Sequence, residues 1–188
     1  MIKKLTGIFL LSIASQSANA LIMDIEWMGS NGYYLEGQFS YSDSLIDTGV
    51  INSSSLDSFQ ITGFLNNVEI GSWDYFLDGL DAGYSFNFNF DTTIESFLVG
   101  GYDDSATGQQ WNTTSGGLEC NTFGFASGSL AQGLCVEGNL VTPLSFVYLP
   151  ESTLNASRSS IKSVPEPTSI MLLIIGLAGL GFFRRKIH

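Results

Sequence analysis

In "YSFNFNF", Tyr84, Phe86, Phe88 and Phe90 alternate with Ser85, Asn87 and Asn89. Period two sets four aromatic rings on one face of a strand and small polar groups on the other, whereas a helix would scatter the rings around its circumference. Weaker alternation marks "YYLEGQFSY", "SFQITGF" and "SFVYL". Further strands are expected at "MDIEWMG", "VEIGSWDYF", "TIESFLVGG", "ECNTFGFA" and "LCVEG". Clusters of Gly, Asn, Asp and Ser separate these runs, as in "GSNG", "DSLIDTG", "LDGLDAG" and "GYDDSATG". Such residues supply positive φ or side-chain-to-backbone bonds that reverse the chain. Roughly eight to ten short strands with frequent turns predict an all-β domain, a sandwich or jelly roll. No amphipathic helix is expected within residues 21–150, and no repeat period suggests a solenoid.

Both ends depart from this pattern. Residues 1–20 place Lys3 and Lys4 before a short apolar core and close on Ala18-Asn19-Ala20. That is a signal peptide, expected as a short helix, with small residues Ala18 and Ala20 positioned for signal peptidase. No Cys follows the cut, which argues against a lipoprotein, and the mature chain is expected to start near Leu21. Residues 151–163, "ESTLNASRSSIKS", are polar and read as a flexible stalk. Residues 164–188 begin with Val164-Pro165-Glu166-Pro167, continue as a 14-residue apolar run over 170–183, and end in Arg184, Arg185 and Lys186. As a helix that run spans about 21 Å, or about 25 Å if it starts at Pro167, against roughly 30 Å of hydrocarbon. It suits a short membrane segment with its basic end on the cytoplasmic side and the acidic domain outside the inner membrane. Whether the segment is kept or removed is left open by physics alone.

Charge narrows the chemistry. The net charge is −11, and the seven Lys and Arg residues are Lys3, Lys4, Arg158, Lys162, Arg184, Arg185 and Lys186. Residues 21–157 hold 17 of the 18 carboxylates, all but Glu166, with no Lys, Arg or His. Such a surface repels phosphate backbones, so nucleic acid is excluded as a partner. A Ser or Cys triad, a Schiff-base lysine and an Arg clamp are all missing, and the domain is expected to be non-enzymatic. Cys120 and Cys135 are expected to form a disulfide in an exported chain. The loop they close is of a length worth about 3 kcal/mol in the loop-entropy account.

Several motifs admit a sharper and a plainer reading. Asp47-Thr48-Gly49 has the local form of an aspartic-protease loop, but it occurs once, and a turn at a strand end accounts for it. Two carboxylates drawn from Asp74, Asp78, Asp81, Glu95, Asp103 and Asp104 would suit a glycoside hydrolase. No cofactor is required, although Ca²⁺ would suit Asp78 and Asp81 in "DYFLDGLDAG" and Asp103 and Asp104 in "GYDDSATG". Solvated turn acids are the plainer reading of those loops. Trp27, Trp73 and Trp111 could form a sugar-stacking platform, with Trp111, flanked by Gln109, Gln110 and Asn112, the best surface candidate, whereas core or half-buried sheet positions are the plainer reading of all three.

Val164-Pro165-Glu166-Pro167, the apolar run containing "GLAGLG", and Arg184-Arg185-Lys186 together resemble the PEP-CTERM sorting signal of Gram-negative bacteria. The same kind of tail is also catalogued as an ice-binding protein C-terminal segment, a label that concerns the tail alone. The resemblance implies an exosortase-type membrane transpeptidase that recognises Pro165, Glu166 and Pro167 and removes the tail. It further implies an inner-membrane-anchored precursor, then a protein at the cell surface or in the extracellular matrix. The expected role is structural or adhesive and linked to extracellular polysaccharide, with a carbohydrate-binding module and a carboxylate-dependent glycoside hydrolase as alternatives.

Overall fold

The computed structural model describes residues 20–80, 82–114, 119–128, 132–140 and 154–160. Ala18, Asp81, the strand expected at "SFVYL", and Val164, Pro165, Glu166, Pro167, Arg184, Arg185 and Lys186 lie outside the described residues. Among the described residues no helix is long and apolar enough to cross a membrane.

In chain order the strands are β1 (Ala20–Met28), β2 (Tyr33–Ser42), β3 (Val50–Asn52), β4 (Leu56–Leu65), β5 (Val68–Asp74), β6 (Ser85–Asn87) and β7 (Asn89–Asp91). There follow β8 (Ser96–Phe97), β9 (Gln109–Thr113), β10 (Phe123–Ser127), β11 (Gln132–Val136), β12 (Asn139–Leu140) and β13 (Leu154–Arg158). One helical turn, α1 (Tyr75–Asp78), follows β5 because the Asp74 carboxylate accepts from the Phe76 and Leu77 amides at 2.9 and 3.0 Å. That cap ends the strand expected to continue through Phe76.

The strands form three antiparallel sheets, β13-β1-β2-β4-β5, β12-β11-β10-β9-β6 and β3-β7-β8. Alternate positions of the first sheet point to one face: Met23, Ile25, Trp27, Leu35, Phe39, Tyr41, Phe59, Ile61 and Trp73 are all buried. The two smaller sheets close over them as a second layer. Phe39 meets Phe88, Phe90 and Phe97 at 5.1, 5.0 and 5.6 Å between ring centroids. Phe59 meets Phe86 and Trp111 at 4.8 and 4.9 Å, and Trp27 meets Phe125 at 5.3 Å. Most of these rings cross edge to face or at a tilt, the arrangement the ring quadrupole favours. The molecule is thus the expected all-β sandwich, with a core built from aromatic contacts between layers.

Gly63 and Gly71 lie side by side on the inner face, and their missing side chains admit the Phe123 ring. A Cβ at either position would stand 2.5–2.6 Å from that ring, so only glycine fits here. Cys120 and Cys135 form the expected disulfide, with Cα atoms 5.9 Å apart, tying the segment before β10 to β11.

Two expectations change. The aromatic run "YSFNFNF" is split at Phe88: β6 pairs with β9 in one sheet, and β7 pairs with β3 and β8 in another. Phe88 sits at this corner, 1% exposed, among Phe39, Phe59, Phe86, Phe90 and Phe97. The expected flexible stalk over 151–163 also contains a strand. β13 pairs with β1 from Trp27↔Leu154 to Met23↔Arg158. Leu154 is buried beside Trp27, and the Ser159 amide donates to the Ile22 carbonyl at 3.0 Å. Arg158, the one Lys or Arg among the described residues, crosses from this edge to the Glu95 carboxylate in the turn between β7 and β8.

The Tyr41 hydroxyl is buried and has no hydrogen-bond partner among the described residues. Burial foremost, then the nearby Glu95 carboxylate, raises the phenol above its ordinary value, while Arg158 opposes the shift. The unfolded chain therefore releases this proton first, and stability falls as pH rises above about 10. Tyr41→Phe is expected to be at least as stable as the parent at pH 7, since it removes an unsatisfied group. Urea midpoints at pH 9 and pH 11 should fall less in this variant than in the parent.

Candidate binding face

A sheet covered on one face leaves alternate positions of each strand outside, and pairing register decides which of them become neighbours. Across β13, β1, β2, β4 and β5, one transverse row reads Ser157, Asp24, Gln38, Gln60, Asp74. The next reads Asn155, Glu26, Glu36, Thr62, Ser72. A third brings Tyr34 beside Phe64. Their rings stack at 4.7 Å with planes 10° apart, and the Tyr34 hydroxyl reaches Asn67 Oδ1 at 3.3 Å.

These rows form an open groove of about 550 Å³ running over β1, β2 and β4. Asp24, Glu26 and Glu36 supply carboxylates, Gln38 and Gln60 supply amides, and Phe64 supplies an aromatic wall. Gln38 Nε2 donates to Asp24 Oδ1 at 2.8 Å, which fixes the amide. Glu26 and Glu36 stand directly opposite each other in register. Sequence reasoning assigned these residues to strands but not to a site. Their signal is the polar half of each alternation, and only the register assembles it.

All three tryptophans follow the plainer reading and are buried, and the candidate platform around Trp111 lies inside. Trp111, Gln109 and Asn112 are each 0% exposed, which overturns their reading as a sugar-stacking surface. Trp111 packs on Phe59, Phe97 and Phe125. Gln109 works as a spare peptide group at the corner between sheets. Its Nε2 donates to the Asn89 and Leu98 carbonyls at 2.7 and 2.9 Å, and its Oε1 accepts from the Asn89 amide and Trp111 Nε1, both at 3.2 Å. Asn112 Nδ2 donates to the Phe123 carbonyl at 3.0 Å. Primary amides satisfied this way tolerate full burial. Gln109→Met keeps the bulk and strands those partners, so a loss of at least about 2 kcal/mol is expected in chemical denaturation.

Among the described candidate acids, Asp78 and Glu95 make structural contacts. Asp78 accepts from the Asp74 amide at 2.8 Å, and Glu95 holds Arg158. Asp103 is buried and Asp104 exposed in a loop whose carbonyls are held from below. Asn87 Nδ2 donates to the Asp103, Ser105 and Gly108 carbonyls at 2.6, 2.8 and 3.2 Å, and Asn89 Nδ2 to Ser105 and Gly108 at 3.1 and 2.8 Å. The polar half of "YSFNFNF" thus anchors a loop. Among the described residues no group of three or more His, Cys, Asp or Glu is arranged to hold a metal ion. Asp47 and Gly49 have φ of 59° and 98°, and Thr48 Oγ1 bonds the Leu45 carbonyl at 2.8 Å, so Asp47-Thr48-Gly49 is the expected turn.

Residues 163–186 match the family model of the PEP-CTERM protein-sorting motif. That stretch includes Val164, Pro165, Glu166, Pro167, Arg184, Arg185 and Lys186. No curated protein and no solved structure matches the chain. The motif marks the chain as an exported exosortase substrate with a membrane-anchored precursor.

Proposed function

We propose that this protein is a non-catalytic sandwich domain delivered by exosortase to the cell surface or extracellular matrix, where it plays a structural or adhesive role on exopolysaccharide. The sorting motif over 163–186 is the observation that carries this reading. The chemistry of the domain supports it. Both cysteines are locked in a disulfide, and the described residues contain no histidine or lysine. Their one arginine is committed to Glu95.

The test uses the producing cell. In the parent strain, protein sheared from the surface should co-sediment with exopolysaccharide. In a strain lacking its exosortase gene, the protein should stay with the inner membrane. Equal distribution between polysaccharide-rich and polysaccharide-poor fractions would remove the adhesive role, and surface release without exosortase would remove the sorting route.

A further inference from the structure

We infer that the groove on the outer face of the β13-β1-β2-β4-β5 sheet binds an uncharged polysaccharide chain. This rests on the exopolysaccharide role proposed above and adds a site and a ligand class to it.

Three properties of the groove point the same way. Its volume of about 550 Å³ falls in the range of roughly 300–1,000 Å³ usual for small-ligand sites. Because it is open, a polymer can pass through without needing a free end. Its chemistry also suits sugar hydroxyls, which donate and accept at once. The carboxylates of Asp24, Glu26 and Glu36 accept, while the amides of Gln38 and Gln60 do both. Phe64, backed by the Tyr34 ring at 4.7 Å, presents an apolar wall to the C–H face of a pyranose.

Preorganisation favours binding as well. Every lining group stands on a strand whose opposite face is packed in the aromatic core, so the lining positions are held by the sheet. The Gln38–Asp24 bond removes one more rotor before any ligand arrives.

Charge decides the class of polymer. Among the described residues the groove holds three carboxylates and no cation, and Arg158 points to the other face of the sheet, towards Glu95. Uronate, sulfate or phosphate groups on a chain would meet repulsion along the whole groove. Glu26 opposite Glu36 is itself an unfavourable pair, and neither carboxylate has a hydrogen bond or ion pair among the described residues. A local cost of this kind on an otherwise consistent sheet is expected where a surface serves binding.

Native affinity electrophoresis of the exported protein tests the inference. Gels containing hydroxyethylcellulose, laminarin, galactomannan or dextran are compared with gels containing alginate or polygalacturonate. Retardation is expected in at least one uncharged polymer and in neither anionic one. The double variant Gln38→Ala, Gln60→Ala should weaken retardation about tenfold with an unchanged thermal midpoint. Retardation equal in parent and variant would move binding off this face while leaving the polysaccharide role standing. Retardation by the anionic polymers alone would overturn the ligand class and likewise leave that role. If no polymer retards the parent, the inference falls, and co-sedimentation with the cell's own exopolysaccharide decides the role separately. A concentration-dependent dimer lost in the double variant would assign the face to a second copy of the chain and overturn the proposal.

Discussion

Trp111→Ala is expected to lower stability by about 3–5 kcal/mol, the cost of deleting a large ring from a core that relaxes only in part. Trp111 is 0% exposed and touches Phe59, Phe97 and Phe125, which belong to both layers of the sandwich. Removing it opens a cavity where the layers meet and deprives Gln109 Oε1 of one donor. An exposed sugar platform would behave differently: substitution there would change stability by no more than about 0.5 kcal/mol. Urea denaturation of parent and variant separates the two, and a near-zero change would return Trp111 to the surface.

A chain ended at Pro150 is expected to unfold on the order of 10 °C below one ended at Ser160. The shorter chain loses β13 and with it the pairing to β1, the buried Leu154, and the Arg158–Glu95 link between layers. Leu154 alone, if cut back to Ala, would cost about 2–5 kcal/mol. Truncation also exposes the backbone edge of β1, an invitation to aggregate. Equal thermal midpoints for the two chains would show that residues 151–160 add nothing to the fold.

β13 has a consequence for sorting. After Arg158, only residues 159–163 precede Val164, at most about 17 Å of extended chain. The strand also ends beside Ile22, two residues past the expected signal cleavage at Ala20. The first and last described stretches of the sandwich therefore lie side by side, on β1 and β13.

The sequence made the inward half of this molecule readable. Met23, Ile25 and Trp27, or Phe39 and Tyr41, are large apolar groups two residues apart, and nothing competes with a strand as their explanation. The same signal failed where burial was achieved with polar groups. "QQWNT" looks solvated, yet all five of its residues are buried, because Gln109, Gln110 and Asn112 spend their amides on backbone groups. β13 was hidden for a related reason. In "LNASR" the inward set is Leu154, Ala156 and Arg158, too small and too polar to register as an apolar face. The groove was out of reach for another reason: Asp24, Gln38 and Gln60 are far apart in sequence and are joined only by strand register, which turns and bulges set. The tail stood at the opposite extreme. Pro165-Glu166-Pro167, an apolar run and three basic residues form a linear message, legible without any fold.

Delivery of the domain to the surface requires that the message is acted upon. Mass spectrometry of the protein recovered from the cell surface reports its C-terminus directly. The expected result is a chain that ends at or near Pro165, Glu166 or Pro167, with peptides covering Leu154 to Arg158 and none covering Arg184 to His188. Recovery of the intact basic tail from the surface fraction would contradict it.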